Sequence, residues 1–197
     1  KTTFFKPRIL LLYISNFFIF SSLSMNIVLF PNILITHGVS EGLIGVSLTV
    51  ELLASIIVAL LLPKAANRWN ILHLFWGITL IYALDLLLLP FYYSFGLWIG
   101  LVFFMGFTFF GATIILHSIF NQCLENHNRG RYFSILAIFI SLGLFIGPII
   151  VKKVGIDTYD AFLISSVFGF LAIIPTLFLA SQKIYLPKNR HIKAMYF

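Results

Sequence analysis

Six runs of apolar residues, each about 20 residues or longer and nearly free of charge, govern what this chain can fold into. They cover residues 9–35, 41–62, 71–92, 95–123, 132–151 and 161–182. At 1.5 Å per residue, about 20 helical residues cross a hydrocarbon core roughly 30 Å thick. The runs are continuous, unlike the alternating ten-residue segments of a membrane β-barrel. An all-α polytopic membrane protein with six transmembrane helices is therefore predicted. The breaks hold helix stoppers and polar groups: His37-Gly38, Ala66-Asn67-Arg68, Tyr93-Ser94, Asn126 to Gly130 and Asp157 to Asp160. The first run is too long for a cleavable signal peptide, and no small-residue cleavage site follows it.

Composition agrees. Charged residues make up 10% of the chain, against about 25% in an ordinary soluble domain, and 60% of residues are hydrophobic. Nineteen charges cannot cover a soluble surface of this size, and such hydrophobicity excludes disorder. The 23 phenylalanines suit lipid-facing helix surfaces. The net charge of +7 would suggest nucleic acid in a soluble protein, but here the basic residues lie between apolar runs and orient them. With the N-terminus inside, eleven Lys and Arg fall on inner segments and two, Lys152 and Lys153, on outer ones. Both termini are expected in the cytoplasm, with the chain in the cell membrane. Residues 1–182 read as one six-helix bundle and 183–197 as a basic tail or the start of a linker. One cysteine, Cys123, precludes an intrachain disulfide.

Polar groups inside apolar runs carry the functional signal, because each costs free energy in a bilayer. Ser15, Ser22 and Asn26 fall within about 40° on the first helix. The stripe reads as a wall of a water-filled substrate path or as helix–helix hydrogen bonding, and Ser15, Ser22 and Asn26, with Thr113 and His117 of the fourth helix, are expected to face a central cavity and bind substrate. Gly106, Thr113 and His117 share a face of the fourth helix; His117 is a candidate to bind a solute or change protonation, or else a neutral histidine bonded to a neighbouring helix. Glu51 and Asp85 lie near the middle of runs two and three, each able to carry a proton or bind a cation, or to bond within the bundle. Gly143, Gly147 and Pro148 suit close helix packing and a bend or hinge. No zinc spacing, phosphate-binding glycine loop or nucleophile elbow occurs, so no enzyme, metal or cofactor is expected.

Particular stretches then resemble the N-terminal half of a major facilitator superfamily (MFS) transporter. Phe30-Pro31 through His37-Gly38-Val39-Ser40 and Leu43-Ile44-Gly45 are similar to its first outer loop. The window from Pro63 to Leu72 resembles its loop between helices two and three, with Arg68 kept but Asn67 in place of the acid and the glycines lost. Asn128-Arg129-Gly130-Arg131, then Gly143 and Gly147-Pro148, is similar to the inner loop and fifth helix, the latter in antiporters and drug exporters. The basic residue that many proton-coupled members carry early in helix four is absent near Val102. The resemblance implies two inverted three-helix repeats, helices one and four lining a substrate path, and Arg68, Arg129 and Arg131 in conformational switching. It implies secondary transport of a small solute by alternating access, export preferred, with a coupling proton or cation and a second six-helix half as partners. The alternative is a non-transporting membrane scaffold or assembly subunit, or a half-size transporter that dimerises.

Overall fold

The computed structural model describes residues 7–91, 94–124, 126–155 and 159–181. The basic tail 183–197, Gln182, Lys1 and Lys6 lie outside the described residues. The described residues form α1 (Pro7–Thr36), α2 (Glu41–Arg68), α3 (Ile71–Leu88), α4 (Phe95–Gln122), α5 (Arg129–Val154), α6 (Tyr159–Leu171) and α7 (Ile173–Ser181). Short 3-10 turns follow α3 at Leu89–Phe91 and precede α5 at Asn126–Asn128. Among the described residues there is no strand, and six spans are long and apolar enough to cross a membrane.

Local chemistry places the ends. Gly38 takes a φ of +72°, its N–H donates to Ile35 O at 2.9 Å, and the Val39 N–H donates to Leu34 O at 2.9 Å. That pair of bonds is a Schellman motif, and the missing Cβ permits the left-handed residue it needs. Asn70 starts α3 by accepting the Leu72 N–H on its side chain at 2.9 Å. The sixth span differs from the single run expected, because it is split at Ala172 into α6 and α7. Pro175 explains the split: without an N–H it cannot bond the Leu171 carbonyl, and its ring crowds that carbonyl.

The helices pack in a pattern related by a two-fold exchange of α1–α3 with α4–α6. α1 packs on α5 and α6; α4 packs on α2 and α3; α1 meets α4, and α3 meets α6. These are the two inverted three-helix repeats of one half bundle. α1 is the central post, with half of its 30 residues buried. Only five residues each are buried in α2 and α5, so most of their surface faces away from the bundle.

Glycine sets the closest contacts. A Cβ on Gly143 would come within 2.7 Å of Phe17 O, and one on Gly147 would meet Ser24 Oγ and lie 2.7 Å from Met25 N. α5 therefore lies directly on the α1 backbone. A Cβ on Gly106 would lie 2.7 Å from Glu51 O, so α4 lies equally close to α2. Lipid tails are as apolar as leucine, so such close approach, with interhelical hydrogen bonds, is what holds membrane helices together.

Candidate functional site

The first-helix serines and asparagine lie inside the half. Ser15 is buried and its hydroxyl donates to Ala172 O at 2.9 Å, capping a carbonyl at the α6–α7 break. Ser22 and Asn26 are buried against α3 and α6. Ser22 Oγ donates to Ser165 O at 2.8 Å, so its single hydrogen is used there. The Tyr82 hydroxyl then donates to Ser22 Oγ at 3.0 Å and accepts from Asn26 Nδ2 at 3.1 Å. Ser165 Oγ donates to Asn26 Oδ1 at 3.1 Å. Each donor has its own acceptor, and three spans are tied at one level.

The fourth-helix pair separates. Thr113 bonds back to Phe109 O at 2.8 Å within its own turn. His117 reaches across to α1, its Nε2 3.0 Å from Asn16 Oδ1, with its ring nearly parallel to Phe20, 13° between planes and 6.4 Å between centroids. Both are half-buried. The Asn16 contact lies about 80–120° around α1 from Ser22 and Asn26, so the two polar sets do not meet in one space of this half.

Of the two carboxylates, Asp85 is 6% exposed and its Oδ2 has no hydrogen-bond partner among the described residues. Glu51 is half-buried on α2, its backbone and Cγ against Gly106. Both lie within electrostatic reach of the Tyr82 hydroxyl. Arg68 ends α2, and Arg129 and Arg131 open α5; all three are exposed at helix ends. Pro148 is exposed on α5, one residue after the Gly147 contact. No group of three or more His, Cys, Asp or Glu that could hold a metal occurs among the described residues. A groove of about 260 Å³ runs between α2 and α4, lined by Ala59, Leu62, Pro63 and Ile115, with Ser118 and Gln122 as its polar members.

Asn16, Tyr82 and Ser165 carry the polar contacts that the sequence reading did not single out. Their signal was present: each is a polar side chain inside an apolar run, and Ser165 belongs to a Ser-Ser pair. Trp76 and Thr176 add a further link, indole Nε1 to hydroxyl at 2.9 Å, between α3 and α7.

A sequence profile described as the Major Facilitator Superfamily matches residues 12–193. No curated protein matches the chain.

Proposed function

The chain belongs to the Major Facilitator Superfamily, and from that premise we propose that it forms one half of a secondary transporter that moves a small solute by alternating access, exporting it, without hydrolysing ATP. It is a multi-pass membrane protein and a transporter of that superfamily. One observation supports the finer reading above others. The two-fold packing sets α1 and α4 side by side, flanked by α2 and α5, with α3 and α6 on the other side. The most exposed helices, α2 and α5, therefore edge a broad face, and His117 bridges α4 to α1 between them, near the C-terminal end of α4. A second six-helix half set on that face encloses a path near the bilayer midplane.

In this reading His117 and Thr113 belong to the substrate path. Ser15, Ser22 and Asn26 take the second of their two roles, holding α1 to α3 and α6. Asp85, buried with an unpartnered oxygen, and Glu51 carry the coupling proton or cation. Arg68, Arg129 and Arg131 act in switching at the cytoplasmic side, with both termini in the cytoplasm of a cell-membrane protein. Gly143, Gly147 and Pro148 form the bearing on which α5 moves against α1. Residues 183–197 serve as a basic cytoplasmic tail or as the start of a linker between halves.

Flux in proteoliposomes, with the second half supplied, tests the reading. His117→Ala is expected to reduce flux more than folded yield, and Asp85→Asn to remove the dependence on the coupling ion. Absence of flux from folded native protein would favour the scaffold. Labelling of the 126–131 loop only from outside the cell would reverse the proposed orientation.

A further inference from the structure

We infer that Nδ1 of His117 is a hydrogen-bond acceptor for a planar solute that bears an N–H or O–H donor and is uncharged or cationic. The solute rests on the transporter reading above; the state of the imidazole does not.

The tautomer follows from the chain of bonds around Asn16. Asn16 Nδ2 lies 2.8 Å from Leu12 O. A carbonyl only accepts, so the amide nitrogen must face it and Oδ1 must face His117. Oδ1 also only accepts, so the 3.0 Å contact requires the hydrogen on His117 Nε2. A neutral imidazole has one N–H, which leaves the lone pair on Nδ1. No other hydrogen bond to this ring occurs among the described residues. Asn16 thus acts as a positioning residue that orients an acceptor.

The surroundings define the rest of the ligand. Phe20 lies nearly parallel to the imidazole. Phe103, Phe107 and Phe110 fall within about 80° of His117 around α4, and all four are half-buried. Ring faces carry negative potential, so they favour flat apolar bodies and cations. The Nδ1 lone pair has the same sign. Every Lys and Arg among the described residues lies near a helix end; Glu51 lies in the interior of its span, and Asp85 is buried in the last turn of α3. Among the described residues no Lys or Arg lies in the interior of a span to neutralise an anion there.

The test uses the chain in lipid nanodiscs. Nitrogen-15 spectra of the native protein should show His117 with Nε2 protonated and Nδ1 bare; the reverse overturns the inference. Ethidium, a flat cation with amine donors, should bind, and fluorescein, a flat anion, should bind at least tenfold more weakly. Absent ethidium binding, or equal affinity for the two, overturns the ligand class. His117→Ala should weaken ethidium about threefold to tenfold, the worth of one neutral hydrogen bond. His117→Gln should restore it, since the amide can donate to Asn16 and accept from the ligand. An unchanged affinity in His117→Ala would overturn the acceptor role. The native-protein measurements remain decisive if that variant fails to fold. This binding pattern without flux in proteoliposomes supplied with the second half would sink the transporter reading and leave the site standing.

Discussion

Replacing Gly147 with alanine should loosen the α1–α5 contact by an amount that can be worked out in advance. The added Cβ would lie 2.7 Å from Met25 N, where ordinary contact begins at about 3.4 Å, a deficit of about 0.7 Å. Ser24 Oγ, also in the way, can rotate, but the Met25 nitrogen is backbone and cannot. α5 must therefore move outward. Overpacking of this kind costs about 1–3 kcal/mol. The movement also stretches the 3.1 Å bond between Ser24 Oγ and Gly143 O, worth about 0.6 kcal/mol in a membrane. The gain in helix propensity from glycine to alanine returns about 0.5–1 kcal/mol. The net is about 1–3 kcal/mol, or a Tm lower by about 2–12 °C for a chain of this size. Thermal unfolding in detergent, followed by tryptophan emission or by loss of a monodisperse elution peak, reads it. Gly77→Ala is the control, because nothing lies within 4 Å of that Cβ; it should be neutral or stabilising. Gly143→Ala shows the same 2.7 Å approach, to Phe17 O, and outward movement of α5 relieves both. The double variant should therefore cost less than the two single costs together. Equal stability of Gly147→Ala and Gly77→Ala, or strict additivity of the pair, would refute the packing argument.

Other expectations follow from single contacts. Tyr82→Phe removes the acceptor of Asn26 Nδ2 and the donor to Ser22, and should lower stability by about 1–2 kcal/mol in the same melts. Asp85→Leu removes a buried oxygen that has no partner, so folded stability should rise while ion-coupled flux is lost. Thr176→Val breaks the indole bond of Trp76, and should shift that residue's emission to shorter wavelength in a variant lacking Trp69 and Trp98. Burial pushes the Cys123 thiol up, partly opposed by nearby Arg8. Only the thiolate reacts with maleimide, so labelling at neutral pH should be slower than for a free thiol and should climb at higher pH; Arg8→Ala should slow it further.

Much of the architecture was legible in the residue order. The spans and their ends follow from hydropathy and from stoppers such as His37-Gly38 and Asn70, because in lipid each segment must satisfy its own backbone. The glycine pair of α5 could be read as a packing surface from spacing alone. Even the break at Ala172 had a local cause in Pro175, though a hydropathy run counts across it.

The destinations of the polar side chains were settled elsewhere. The stripe of Ser15, Ser22 and Asn26 is visible at 100° per residue, but spacing alone does not say whether it meets water or protein. Tyr82 and Ser165, 56 or more residues further along the chain, receive Ser22 and Asn26, and the Ala172 carbonyl receives Ser15. Thr113 and His117 share an arc, yet one folds back on its own turn and the other crosses to Asn16. In water, the apolar stripe of a helix tells which side is buried. In a bilayer both sides are apolar, so sequence determines where each helix lies along the chain, and only the packed neighbours decide which way its polar groups turn.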